Sequence, residues 1–157
     1  MNPLPSVQDI LPHKAPMVLI DSLVSVGDDS VHCRATIERE NLFFDPAINA
    51  VPGWVGLEIM AQSVAAWAGY HAQKAHRPPQ VGFLLGSRRY QAQRASFFGG
   101  QTLDIKAEKV LENAGMAVFD CIIVIDDEEV ARAQLNTYVP SQEKLAEMAN
   151  QEVTENG

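Results

Sequence analysis

The sequence has 157 residues, enough for one ordinary domain whose core needs no disulfide or metal staple. With 46% hydrophobic and 20% charged residues the composition is globular, which excludes a disordered chain. A net charge of −8 argues against nucleic acid as a general partner, because neutralising phosphates needs a basic face.

In chain order, residues 1–16 are rich in proline (Pro3, Pro5, Pro12, Pro16), with room for one helical turn over Ser6–Leu11 capped by Ser6. The start Met1-Asn2-Pro3 has no basic or apolar run of the signal-peptide kind, so a reducing cytosol is the expected compartment. Met17–Val26 reads as a strand, Gly27-Asp28-Asp29 as a hairpin turn, and Ser30–Glu38 as the partner strand. Val31, Cys33, Ala35 and Ile37 share one face of that strand, and His32 lies on the other. Residues 39–51 form an irregular connection that is unusually apolar for a loop. Cys33 and Cys121, both in strand-like surroundings, read as buried free thiols, and no metal-ligand spacing occurs.

Pro52-Gly53 then opens a helix over residues 52–70. Its Ala, Ile, Met, Val and Trp residues point in every direction, which predicts burial all round. The length would cross a bilayer, but Glu58, Gln62, Ser63 and three glycines fit a helix wrapped inside a soluble domain better. Glu58 lies near the helix start among Leu57, Ile59, Met60 and Ala61, with Gln62 one turn on along the same face. Burial penalises an ionised Glu, whereas a helix N-terminus favours negative charge. Two readings stay open: a general acid, or a structural Glu bonded to a neighbouring amide or Arg.

The helix ends near His71–Lys74, and His71 and His76 read as surface residues. Val81–Tyr90 reads as a strand in which Gly82 and Gly86 mark a bulge or a close backbone approach. Ser96–Gly100 is a turn, followed by strands at Thr102–Leu111, Met116–Ile125 and Val130–Val139 with turns at Asn113-Ala114-Gly115 and Asp126-Asp127. Ser141–Asn150 reads as a short helix and 151–157 as a frayed end. Two strands, one long helix and four strands disfavour a parallel Rossmann sheet and predict an α+β fold. In it an antiparallel sheet wraps one central helix, and pairing in a dimer would cover the sheet edges.

Three stretches resemble the hotdog-fold 3-hydroxyacyl-(acyl-carrier-protein) dehydratases. Leu11-Pro12-His13-Lys14-Ala15-Pro16-Met17-Val18-Leu19-Ile20-Asp21 is similar to their opening Leu-Pro-His-Arg-x-Pro motif. Pro52-Gly53-Trp54-Val55-Gly56-Leu57-Glu58-Ile59-Met60-Ala61-Gln62 is similar to their helix start, and Gly82–Tyr90 to the following strand. The likeness covers roughly residues 9–140 and is nearest to the divergent branch associated with aryl-polyene pathways. It implies one hotdog domain over 1–157, with a tail at 141–157. It also implies a lyase that removes water from 3-hydroxyacyl thioesters in fatty-acid or polyene-type biosynthesis. The substrate would arrive on the phosphopantetheine of an acyl carrier protein, with no separate cofactor, no metal and no membrane. The expected assembly is a homodimer or a heterodimer with a related subunit.

By the same resemblance Glu58 assists departure of the 3-hydroxyl, and the Gly53 N–H holds the thioester oxygen. Trp54 and Gln62 complete the expected substrate-binding set. Where the family carries its histidine this chain has Phe44, and no histidine occurs between 33 and 70. His13, framed by Pro12 and Pro16, is the candidate base, against the alternative of a structural histidine bonding loop carbonyls; Asp45 is a weaker candidate. Arg88, Arg89 and Arg94 form a candidate docking cluster for an acidic carrier, or a solvated strand face. Phe43, Phe44, Trp54, Phe83 and Leu85 are candidate walls of an acyl tunnel. Two further readings share the fold: a thioesterase in which the carboxylate activates water, and a non-catalytic subunit of an active dehydratase.

Overall fold

The computed structural model describes residues 4–76 and 83–138, and within these the side chains of residues 83–85 and 88 are left aside. The expected helix at 141–150 and the docking side chain of Arg88 lie outside the described part, as do the tunnel walls Phe83 and Leu85.

The helices are α1 (Val7–Ile10) and α2 (Val55–Lys74). The strands are β1 (Ser22–Val26), β2 (Ser30–Thr36), β3 (Ala50–Pro52), β4 (Phe83–Ala92), β5 (Ser96–Phe98), β6 (Thr102–Asn113), β7 (Met116–Ile125) and β8 (Glu128–Tyr138). Six strands make one sheet in the order β1-β2-β6-β7-β8-β4, with every neighbouring pair antiparallel. The period-2 pattern puts Val31, Cys33 and Ala35 of β2, Leu103, Ile105 and Ala107 of β6, and Phe119, Cys121 and Ile123 of β7 on the buried face. In register, Cys33 faces Ile105 and Ile105 faces Ile123, so the apolar rows run across the sheet. The middle of α2 packs into that face with Ile59, Met60 and Ala66 at 0% exposure. Among the described residues no helix is long and apolar enough to cross a membrane.

The helix is not buried all round as its composition suggests. Leu57, Ala61, Ala65 and Ala68 form a half-exposed row along α2, because a sheet covers a helix from one side only. Its end lies within the expected His71–Lys74 stretch. The helix continues to Lys74 because Trp67 Nε1 and His71 Nε2 both donate to the Gly27 carbonyl in the β1–β2 turn, at 3.2 and 2.9 Å. His71 is therefore a helix-to-turn clamp and not a surface residue, whereas His76 is exposed. His32 bonds across to Asp104 at 2.7 Å from β2 to β6.

β1 begins at Ser22 and not at Met17, since the Met17 carbonyl and the Leu19 N–H are taken by a helix side chain instead of a strand partner. β3 and β5 form a two-stranded ribbon inside segments expected to be loop and turn. Three residues each is too short for any periodicity to register. The bulge expected around Gly86 is present as a register shift between Leu84 and Gly86. Asp126 and Asp127 both adopt positive φ in the β7–β8 turn, as do Ala114 and Gly115 in the β6–β7 turn.

Gly69 lets α1 lie against α2: a Cβ there would sit 2.0 Å from the Ile10 carbonyl oxygen. Ala is the better helix former by about 1 kcal/mol, so a Gly→Ala change at an open helix position stabilises. Here the contact is backbone, and Gly69→Ala is expected to destabilise by about 1–3 kcal/mol in urea unfolding. An unchanged or raised midpoint would show that α1 does not press on the helix. Burial pushes the Cys33 thiol up to about 11 and the Cys121 thiol to about 12, from 9.0. The unfolded chain then loses thiol protons first as pH rises, so stability should fall above about pH 9 and stay flat just below it as far as these groups are concerned. In the native protein at pH 8 neither thiol should react with Ellman's reagent, and both should react in denaturant.

Candidate active site

The site lies at the N-terminal end of α2. The chain enters through β3, turns at Gly53 and Trp54, and starts the helix at Val55. Glu58 is in the first helical turn, where the partial positive charge of the helix end favours a carboxylate. It is not sealed in the core: its side chain keeps 37% exposure. The Leu11–Pro16 segment passes over this end of the helix and brings His13 Nε2 to 3.7 Å from Glu58 Oε1. That is beyond a direct hydrogen bond. The His13 side chain is 27% exposed, and its Nδ1 is buried with no hydrogen-bond partner among the described residues. For Nε2 to offer a lone pair the ring proton must sit on Nδ1, so that proton needs an acceptor from outside the described chain.

Two of the three residues expected to bind substrate, Gln62 and Gly53, make hydrogen bonds within the chain. Gln62 does not face a pocket. It is fully buried, with its amide oxygen accepting from the Leu19 N–H at 2.8 Å and its amide nitrogen donating to the Met17 carbonyl at 2.7 Å. A second contact of that nitrogen reaches Glu58 Oε1 at 3.4 Å. Gly53 is also committed: its N–H donates to the Ala95 carbonyl at 2.8 Å. The glycine is needed because a Cβ would lie 2.7 Å from the Arg94 carbonyl and 3.0 Å from that of Ala95, which is a demand of packing. Among the described residues, the Trp54 N–H at the same turn makes no backbone hydrogen bond. The Val55 N–H likewise has no backbone partner among the described residues, so the helix start presents free donors just after Gly53. The Trp54 indole is 62% exposed and stacks edge-on against Phe43, with ring centres 5.4 Å apart.

Tyr90, which the sequence reading passed over, fixes this turn. Its hydroxyl donates to the Gly53 carbonyl, and burial pushes the phenol up to about 12, so it stays a donor. Gly56 makes room for it, since a Cβ there would meet the hydroxyl at 2.3 Å. The only sequence signal was one aromatic residue in a strand-like run, which does not distinguish a core residue from a clamp.

The other candidates lie apart. Asp45 is exposed, and its carboxylate accepts from the Ala47 N–H at 2.9 Å, a turn-forming role. Phe44, in place of the family histidine, packs on the core beside Gly99. Arg94 pairs with Glu128 at 3.3 Å, so it is not part of a free basic cluster. Arg89 is exposed on β4 and lines a shallow cleft of about 300 Å³ with Gln91, Asp120, Arg132 and Gln134. Among the described residues no group of His, Cys, Asp and Glu is arranged to hold a metal ion.

A family model described as ApeP dehydratase, of the ApeP-like type, matches residues 5–150. The chain is 24% identical over 132 residues to the 3-hydroxyacyl-[acyl-carrier-protein] dehydratase FabZ of Acinetobacter baylyi, covering 82% of this chain and 88% of that one. It is 29% identical over 141 residues to the FabZ of Deinococcus radiodurans, covering 86% and 93%. A chain of the dehydratase heterocomplex ApeI:P from Xenorhabdus doucetiae superposes with a TM-score of 0.83 at 32% identity, covering 92% of this chain and 97% of that one. A hypothetical thioesterase from Streptococcus pneumoniae, solved with coenzyme A, shares the fold at a TM-score of 0.62 and 16% identity, covering 77% and 86%.

Proposed function

This chain belongs to the ApeP-like dehydratases, a hotdog-fold family, and on that footing we propose that it removes water from 3-hydroxyacyl thioesters carried on an acyl carrier protein, as one subunit of a paired assembly. The observation that carries the reading is the convergence of His13 and Glu58, 3.7 Å apart, at the open end of a buried helix.

Dehydration needs a base at the carbon next to the thioester and an acid at the neighbouring hydroxyl. His13 Nε2 takes the α-proton, and the C–H electrons become the Cα–Cβ double bond. The Cβ–O bond breaks, and the hydroxyl leaves as water with the proton of the Glu58 carboxyl. The two groups are close enough to serve atoms on adjacent carbons of a substrate lying across both. The Trp54 N–H, at the positive end of α2, is placed to receive the thioester oxygen as charge builds on it. After release, the proton gained by His13 returns to Glu58 and the pair is reset.

Three observations support a second subunit as part of the working enzyme. The position that carries the family's histidine is Phe44, and the buried Nδ1 of His13 lacks an acceptor among the described residues. Leu42, Ile48, Trp54 and Phe98 are each 47–62% exposed around the helix start, an apolar rim of the kind an interface covers. An acidic carrier protein would have to find positive charge on the assembly, with Arg89 of this chain available.

The test is mass spectrometry of a 3-hydroxyacyl carrier protein incubated with the chain alone and with a related hotdog subunit. Loss of one water is expected, and release of the free carrier thiol would turn the reading to a thioesterase. Glu58→Gln should lower kcat by about 10²–10⁴-fold. The same change should leave the unfolding midpoint in place, since the side chain is well exposed. His13→Ala should lose a similar factor, and a fully active His13→Ala enzyme would remove His13 from the reaction and leave the base to the partner.

A further inference from the structure

We propose that Gln62 is a positioning residue: its buried carboxamide fixes the backbone that carries His13 and so sets where the imidazole stands relative to Glu58. The proposal rests on the functional reading above for its catalytic consequence, but its structural part stands by itself.

Among the described residues the His13 side chain makes no hydrogen bond. Nε2 lies 3.7 Å from the carboxylate, and Nδ1 has no partner among the described residues. The ring's place is therefore decided by its backbone. That backbone, between Pro12 and Pro16, belongs to neither helix nor strand. It is closed by a turn in which the Met17 N–H donates to the Lys14 carbonyl at 2.8 Å. Beyond the turn, the Met17 carbonyl and the Leu19 N–H would ordinarily seek a strand partner. Both are instead taken by Gln62, at 2.7 and 2.8 Å. The same amide nitrogen lies 3.4 Å from Glu58 Oε1. One side chain thus touches the loop that bears the imidazole and the carboxylate it faces.

The chemistry selects glutamine. The Leu19 N–H requires an acceptor and the Met17 carbonyl requires a donor, at neighbouring points on one rigid planar group. Glutamate offers no donor, and one helical turn from Glu58 it would add a like charge on the same face. Leucine and methionine match the bulk and offer neither. Full burial means that no water can replace the bonds if they are lost.

The experiment uses the full chain, with its partner subunit where turnover requires it, and three variants: Gln62→Leu, Gln62→Met and Gln62→Glu. Histidine-labelled protein is examined by NMR, the His13 ring signals being assigned by their loss in His13→Ala. Cross-relaxation between the His13 ring protons and the Glu58 side chain is expected in the native protein. It should vanish or broaden in Gln62→Leu and Gln62→Met, while the His32 and His71 signals stay in place. In the same variants kcat should fall by about 10²-fold, the scale of a displaced catalytic group. KM should change by less than about threefold, because no substrate contact is removed.

A His13–Glu58 contact that survives in a folded Gln62→Leu or Gln62→Met chain overturns the proposal, whatever the kinetics. Loss of the contact with kcat unchanged supports the positioning role and instead removes His13 from the reaction. If Gln62→Leu fails to fold, Gln62→Glu decides the matter, because it keeps the acceptor for Leu19, lacks the donor for Met17 and sets a second carboxylate beside Glu58. A native contact and native kcat in that variant would overturn the proposal as surely.

Discussion

A helix that carries apolar side chains on nearly every side has to be covered on nearly every side. In this chain α2 is that helix, and the sheet is shaped around it: Ile59, Met60 and Ala66 are fully withdrawn from water against the rows that run from β2 through β6 and β7. Burial of this area is the main favourable term in folding, on the order of 1.5–3 kcal/mol for each large side chain. What the sheet leaves open is one row of α2 and its N-terminal end, and both follow from the same geometry: a curved sheet embraces a rod but does not close over its side or its tip.

That open tip is where polar groups can stand on an apolar element without penalty. The first turn of a helix has unpaired N–H groups and a partial positive charge. Glu58 occupies this turn with enough exposure to remain solvated, and His13 is brought to it by a loop that lies across α2. The anchoring of that loop is a buried amide, Gln62, and the anchoring of the turn before the helix is a half-buried phenol, Tyr90. Each of the two satisfies a backbone carbonyl, and Gln62 a backbone N–H as well; left alone, these groups would destabilise the fold. The reacting groups are half-exposed, and the groups that place them are held by hydrogen bonds to the backbone.

The architecture was legible in the sequence because it rests on periodicity. Alternation in 30–38, 102–111 and 116–125, with Asn-Ala-Gly and Asp-Asp turns between, gave strands whose faces match the burial found. The β3–β5 ribbon was not legible, since three residues carry no period. Of the site, Glu58 and His13 could be named from a motif resemblance, and their side chains do meet. The hydrogen bonds that Gly53 and Gln62 make within the chain could not be read. A glycine at a helix start and an amide one turn beyond an acid look the same in a sequence whether they face a substrate or the protein's own backbone. Only the position of Ala95 and of the Met17–Leu19 segment distinguishes the two cases.

The sequence by itself determined the element types, the apolar faces, the central helix and the presence of an acid at its start, because these depend on residue neighbours one to four apart. The tertiary structure decided which polar groups are free. The Gly53 N–H, the Gln62 amide and the His71 ring each found a partner far away in the chain, and among the described residues the Trp54 N–H did not. Hydrogen bonds are short and directional, so whether a group is available for chemistry depends on a few ångströms of packing that no local pattern encodes.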